Sequence, residues 1–139
     1  MTFLLDTNVI SEFSRHRPAS QVVGWVRGID FRQTYLSVVT VAEVRRGIVS
    51  AKDPLQRTKL VDWFEGNILP LYRDLVLPMD VEVAEVTGQI IGGCDQRGRP
   101  IEHFDAVIAA TAQVHNLTLV TRNTKDFEAW GGPVFDPWA

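Results

Sequence analysis

Short apolar runs alternate with amphipathic segments along the whole chain, and this alternation leaves few folds open to it. Four runs predict β-strands because they are apolar, short and bounded by turn residues, and they cover residues 3–5, 34–37, 75–77 and 117–121. Residues 134–135 predict a short fifth strand. Strands that alternate with helices form a mostly parallel sheet. We therefore predict an α/β fold built on such a sheet.

The segments between these runs have helical spacing and helix start signals. Thr40 is predicted to cap one helix, with Glu43 three residues later as the reciprocal partner of a capping box. Residues 92–100, GGCDQRGRP, have the glycine and proline content of a loop. The predicted helices cover residues 9–14, 19–27, 40–48, 54–68, 80–91 and 103–115.

The size and charge of the chain limit what it can bind. A length of 139 residues fits one domain, predicted to span residues 1–139. The 14 basic and 17 acidic residues give a net charge of −3. Because this charge repels polyanions, any bound nucleic acid must meet a local cationic patch. The candidate RNA-binding residues for that patch are Arg15, Arg45 and Arg46.

Cysteine content and hydropathy point to an intracellular setting. The single cysteine excludes an internal disulfide and a cysteine-rich zinc site. No segment resembles a signal peptide, and no apolar run approaches the roughly 20 residues that span a bilayer. We therefore expect a cytoplasmic protein that does not associate with membranes.

Four acidic residues lie among apolar or small neighbours at the predicted ends of strands and starts of helices. Asp6 ends the first strand, and Asp126 follows the fourth strand after a short loop. Glu43 and Asp105 lie in the first turns of two predicted helices. Sites in parallel α/β sheets gather beyond the carboxyl ends of the strands. The four carboxylates are therefore predicted to meet there.

Carboxylates that meet in one pocket require a partner of opposite charge. An unpaired buried charge costs several kcal/mol, and crowded carboxylates raise one another's pKa. A shared cation removes this repulsion, and an oxygen-only ligand set favours Mg²⁺ or Mn²⁺ over Zn²⁺. Such an ion can activate water against a phosphodiester. Short polar residues beside the acids are predicted to orient ligands or water; they are Thr7, Asn8, Thr121 and Asn123.

Each of these residues also has a local explanation. Asp6 can simply cap the following helix, and Glu43 can serve only the capping box. Asp126 can be an ordinary polar residue of a short helix, with Asn123 as a competing ligand from the same loop. The supporting threonines and asparagines can be turn formers. Asp105 is harder to explain locally because it lies on an otherwise apolar helix face.

Four motif blocks of this chain resemble those of PIN-domain ribonucleases. The blocks are LLDTNVISE, LSVVTVAEVRRGI, GRPIEHFDAVIAATA and LVTRNTKDFEAWGGPVFDPW. More narrowly, the chain is similar to the VapC and FitB-like toxins of type II toxin–antitoxin modules. The similarity runs from Phe3 to Trp138 in the family's order and spacing.

The resemblance implies a fold, an activity and a set of partners. It implies a three-layer α/β/α sandwich with a parallel sheet of about five strands. It also implies an endoribonuclease that uses Mg²⁺ or Mn²⁺, with Asp6, Glu43, Asp105 and Asp126 as catalytic and metal-binding acids supported by Thr121 and Asn123. Such toxins are typically homodimers inhibited by a cognate antitoxin protein, which alone contacts operator DNA.

Two other functions remain open on the sequence. The chain can serve mainly as a binding subunit of a DNA-binding toxin–antitoxin complex with weak or no nuclease activity. It can also be a phosphate-handling α/β enzyme with Asp6 as covalent acceptor. The second is disfavoured because the Asp-Thr-Asn sequence lacks a further Asp and no strand-end Lys accompanies it.

Overall fold

Five parallel strands form the centre of the fold in a computed structural model that describes residues 1–139. The strands are β1 (Phe3–Leu5), β2 (Thr34–Ser37), β3 (Val76–Leu77), β4 (Thr118–Val120) and β5 (Val134–Phe135). Their order in the sheet is β3-β2-β1-β4-β5, and every neighbouring pair is parallel. The predicted parallel α/β sheet is confirmed.

The strand order reverses next to the central strand. Leu4 of β1 lies opposite Tyr35 of β2 on one side and Leu119 of β4 on the other. The strands β2 and β3 therefore follow on one side of β1, and β4 and β5 follow on the other side. A crevice opens beyond the carboxyl ends of the strands at such a reversal, and α/β sheets bind ligands there.

Helices connect the strands and cover both faces of the sheet. They are α1 (Thr7–Glu12), α2 (Ser20–Arg27), α3 (Val38–Ser50), α4 (Pro54–Trp63), α5 (Leu69–Leu71), α6 (Val81–Gln96) and α7 (His103–Val114). A π-helical segment, Phe64–Ile68, joins α4 to α5, and 3-10 turns form at Phe31–Gln33 and Thr124–Phe127. None of the helices combines the length and apolar character that a membrane-crossing segment needs.

Alternate residues of the central strands pack into two separate hydrophobic layers. Phe3 and Leu5 of β1 join one buried cluster with side chains of α1, α3 and the π-helical segment. Leu4 joins a second cluster formed with α6 and α7. Successive side chains of a strand point to opposite faces, so one short strand contributes to both layers. The predicted three-layer α/β/α sandwich is confirmed.

The predicted capping box at Thr40 is wrong. Helix α3 begins directly after β2, and its cap is Ser37, whose Oγ accepts a hydrogen bond from the Val39 amide at 3.1 Å. Thr40 lies inside the first turn of α3, is 1% exposed, and its hydroxyl has no hydrogen-bond partner. Because the helix cap lies three residues earlier than predicted, Glu43 has no capping role and is available to other parts of the molecule.

Three other helix predictions differ from the structure. Helix α6 continues to Gln96, so residues 92–96 are not a loop: Cys94 is fully buried with Ile101 and Ala106 against α7. The glycine-rich turn of the helix thus remains helical through packing. Residues 54–68 are α-helical only to Trp63 and then widen into the π-helical segment. Helix α1 begins at Thr7, two residues earlier than predicted, directly after its cap Asp6.

Candidate active site at the carboxyl edge of the sheet

Asp6 lies at the end of β1 and is only 6% exposed. Its Oδ1 accepts a hydrogen bond from the Thr7 amide at 2.8 Å, which caps α1. Its Oδ2 accepts from Thr121 Oγ1 at 2.8 Å and from Asn8 Nδ2 at 3.2 Å. The capping explanation and the site explanation therefore both apply to Asp6, since each uses a different oxygen.

Thr121 connects the carboxyl ends of β1 and β4. It has no exposed surface, and its hydroxyl accepts from Asn8 Nδ2 at 3.1 Å and from the Asn123 amide at 3.0 Å while it donates to Asp6. The Asn8 side-chain oxygen accepts from the Arg122 amide at 3.1 Å. A fully bonded network of this kind holds the Asp6 carboxylate in one orientation.

Glu43 reaches the same region from the first half of α3. The Thr7 hydroxyl donates to Glu43 Oε1 at 2.7 Å, while the Thr7 amide donates to Asp6. One residue thus holds two carboxylates beside each other. Glu43 is half-buried, and its position explains why it makes no contact with the cap of its own helix.

Three more carboxylates line a cleft on the other side of this region. Asp105 is half-buried in the first turn of α7, and Asp126 is exposed in the 3-10 turn that follows β4. Glu102 is exposed and caps α7 by accepting a hydrogen bond from the Asp105 amide at 3.2 Å. All three line one cleft of about 440 Å³. We call Asp6, Glu43, Glu102, Asp105 and Asp126 the acidic cluster.

The charges of the acidic cluster act most strongly on Asp105. The pKa of this carboxyl is raised from 3.8 to about 7, first by burial and then by four like charges, those of Asp6, Glu102, Asp126 and Glu43 in decreasing order. Each neighbouring negative charge disfavours ionisation. The four predicted acids are therefore brought into one electrostatic field, and a fifth joins them.

Burial also raises the pKa of the other two enclosed carboxyls. For Asp6, burial outweighs the opposing hydrogen bonds from Thr121, Thr7 and Asn8, and the charge of Asp126 adds to the rise. For Glu43, burial is again the largest cause, and its hydrogen bond from Thr7 opposes it. Both acids are thus held in a region where a negative charge is poorly compensated.

The acidic cluster suits a hard divalent cation by its donor atoms. None of its members forms an ion pair with Lys, Arg or His, and carboxylate oxygens are the donors that Mg²⁺ and Mn²⁺ prefer. As the side chains stand, no three acidic, histidine or cysteine groups are close enough to hold one ion. Glu102 and Asp126 are the exposed members of the acidic cluster.

The three predicted RNA-binding arginines occupy different surroundings. The positive charge of Arg46 opposes, as the last of several causes, the rise in the pKa of Glu43, so this arginine acts on the acidic cluster. Arg45 donates to Glu65 at 2.9 Å instead. Arg15 lies beyond the far end of α1, beside a separate cleft. The structure thus brings one of the three towards the cluster.

Glu102 is a member of the cluster that the sequence reasoning missed. Its signal was its position three residues before Asp105 at a helix start, which is the spacing of a side-chain cap. That spacing predicts a local hydrogen bond and says nothing about distant acids. Only the fold shows that the Glu102 charge also acts on Glu43, from another helix.

Comparison with known proteins gives consistent results. The PIN domain family model matches residues 3–132. Toxin FitB of Neisseria gonorrhoeae is 42% identical over 135 residues, covering 97% of both chains. VapC ribonuclease Y4jK of Sinorhizobium fredii is 36% identical over 135 residues, covering 97% of this chain and 96% of that protein.

A solved structure shows the same fold throughout. It is that of FitAB bound to IR36 DNA fragment, with a TM-score of 0.92 and 40% sequence identity, covering 99% of this chain and 96% of the other. The match includes the strands and helices that carry the acidic cluster, since almost no part of the chain lies outside it. On the family model, the identities and this shared fold, the chain belongs to the PIN domain family, among its FitB and VapC toxins.

Proposed function

We propose that this protein is a Mg²⁺- or Mn²⁺-dependent endoribonuclease and the toxin of a type II toxin–antitoxin system. The observation that carries the proposal is the acidic cluster, five carboxylates without an ion pair at the point where the strand order reverses. The name of the similar VapC ribonuclease supports RNA as the substrate, and the name of the similar toxin FitB supports the biological role.

The residues of the cluster have different tasks in this proposal. A bound divalent ion would supply an activated water and stabilise the charge that develops on the phosphate. Asp6 and Glu43 form the fixed side of the site because hydrogen bonds from Thr7 hold both. Asp105 and the exposed Asp126 form the side that faces the cleft, where the RNA backbone would enter.

Metal-dependent cleavage by the purified protein tests the proposal. The full chain, freed of any partner, should cleave single-stranded RNA with Mg²⁺ or Mn²⁺ and not in EDTA. Asp6→Asn should lower the rate by at least about 100-fold, since Asp6 is a fixed carboxylate of the cluster. Asp74→Asn, an exposed acid before β3 at the opposite edge of the sheet, is the matched control. Equal cleavage by Asp6→Asn, or in EDTA, rejects the assignment.

A second candidate function is a binding subunit of a DNA-binding complex with weak or no nuclease activity. The similarity to FitAB bound to DNA favours it. Growth discriminates the two: expression of the wild-type chain without its antitoxin should arrest cells, and Asp6→Asn at equal abundance should not. Normal growth with abundant wild-type protein supports the binding role instead.

The remaining parts of the proposal concern assembly. We infer that the protein is a homodimer in the cytoplasm, that a cognate antitoxin protein inhibits it, and that it meets operator DNA only through that antitoxin. The complex named in the similar structure supports the antitoxin partner. Light scattering on the purified chain tests the dimer, and a monomeric mass at micromolar concentration contradicts it.

A further inference from the structure

We infer that Arg99 and Lys125 bind a backbone phosphate of the RNA beside the one that is cleaved. The inference rests on the proposed function and identifies the cationic patch that an acidic ribonuclease needs. Both residues line the cleft of about 440 Å³ that also contains Glu102, Asp105 and Asp126. This cleft therefore has carboxylates and cations along the same wall-lining set of residues.

The end of α6 places Arg99 in the cleft. Gly98 follows the last residues of the helix with a positive φ of 69°. The Gly98 amide donates to the Asp95 carbonyl at 3.0 Å, and the Arg99 amide donates to the Cys94 carbonyl at 3.0 Å. These are the two hydrogen bonds of a Schellman motif. The position of Arg99 is consequently set by backbone geometry and not by a mobile loop.

A second arginine fixes the distance between the two segments that form the cleft. Arg97 Nη2 donates to the Ala129 carbonyl at 2.6 Å and contacts the sulfur of buried Cys94 at 3.5 Å. This contact ties the segment after α6 to the segment that contains Lys125 and Asp126. Arg97 therefore joins the two segments that supply Arg99 and Lys125 to the cleft.

The two proposed phosphate ligands are available for binding. Lys125 is exposed and forms no ion pair. Arg99 contacts Glu128 only at 3.5 Å, with both side chains more than half exposed. An ion pair of this kind contributes little, so a phosphate can replace it. Arg45 differs because its guanidinium is shared between Glu65 and the ring of Phe64.

Electrostatics gives these cations a specific task. The net charge of −3 and the acidic cluster repel RNA at long range. Arg99 and Lys125 line the same cleft as Asp105 and Asp126, so an RNA strand that reaches the cluster through this cleft passes them. Neutralising both should therefore weaken RNA binding without changing the carboxylates.

Salt-dependent RNA binding tests the inference. The double variant Arg99→Gln/Lys125→Gln is compared with its parent, both carrying Asp6→Asn so that a labelled single-stranded RNA of about 20 nucleotides stays intact in Mg²⁺. Loss of this phosphate contact should lower the slope of log Kd against log salt by about 0.7 and weaken binding about 5-fold near 0.1 M salt. The measurement is repeated in EDTA without the Asp6 substitution.

A matched control removes the same charge elsewhere. Lys52→Gln/Arg73→Gln changes two exposed cations that follow α3 and precede β3, neither of which lines the cleft, and should leave the slope unchanged. An unchanged slope for Arg99→Gln/Lys125→Gln overturns the inference. The inference also fails if this double variant binds RNA normally but no longer binds the antitoxin. Failure of the proposed function is a separate result, namely no metal-dependent cleavage by the wild-type chain.

Discussion

Replacing Asp105 by Asn is expected to stabilise the metal-free protein at alkaline pH although it removes an acid of the cluster. The pKa of Asp105 in the folded chain is about 7, against 3.8 as its ordinary value. The folded state therefore binds a proton more readily than the unfolded state between these values. It follows that the free energy of unfolding falls as pH rises from about 4 to 7. Asn removes this loss because it carries no charge.

The magnitude follows from the pKa difference and the exposure of the side chain. A difference of about 3 units at about 1.4 kcal/mol each gives roughly 4 kcal/mol as an upper limit. Asp105 is only half-buried, and solvent screening reduces the effect to about 1–2 kcal/mol. For a chain of this size, that corresponds to a rise in Tm of about 3–8 °C at pH 8. Below about pH 4 the carboxyl is neutral in both states, so the gain disappears.

Thermal denaturation in EDTA at several pH values between about 4 and 8 measures this effect. Asp74→Asn, which lies outside the cluster, should show no such pH-dependent gain. Adding Mg²⁺ should raise the Tm of the wild-type protein more than that of Asp105→Asn, because the wild-type cluster retains the extra charge. A gain that is the same at pH 4 and pH 8, or a loss of stability at both, refutes the argument that repulsion and burial act on Asp105.

Four further substitutions test features of the fold. Thr121→Val removes a hydrogen bond that lowers the pKa of Asp6. In urea denaturation it should lower the free energy of unfolding by about 1–3 kcal/mol, and it should slow cleavage. Gly98→Ala should lower the free energy of unfolding by about 1–2 kcal/mol, because φ at this position is +69° and a residue with a Cβ is disfavoured there. Gly47→Ala inside α3, where an added Cβ meets no other atom, should instead raise the free energy of unfolding by about 0.5–1 kcal/mol. Equal effects of the two alanine substitutions contradict the turn argument. Thr40→Val should raise the urea midpoint, because the hydroxyl it replaces is buried without a partner, and a lower midpoint indicates an unseen hydrogen bond.

The sequence is sufficient to predict the sheet and the position of most site residues. Apolar runs locate all five strands, and the parallel order follows from the helices between them. Asp6 must lie at the carboxyl edge because it directly follows β1. Its second role as the cap of α1 was already one of the local explanations, and the structure shows that one carboxylate serves both.

Other features depend on tertiary contacts that periodicity does not show. Ser37 and Thr40 are both good helix caps, and α3 uses Ser37 because the helix begins at the end of β2. Residues 92–96 contain the composition of a loop, and burial of Cys94 against α7 keeps them helical. The approach of Lys125 to Arg99 likewise depends on the Arg97 contact between segments that are distant in sequence.

The central position of the first strand has a consequence for synthesis of the chain. Thr121, which bonds to Asp6, is separated from it by 115 residues and is synthesised well after it. A growing chain therefore carries four of the five acids of the cluster before Thr121 exists, and the hydrogen bond from Thr121 to Asp6 forms only once β4 can insert beside β1. The final orientation of the Asp6 carboxylate is therefore reached only after β1, β2 and β3 have been synthesised.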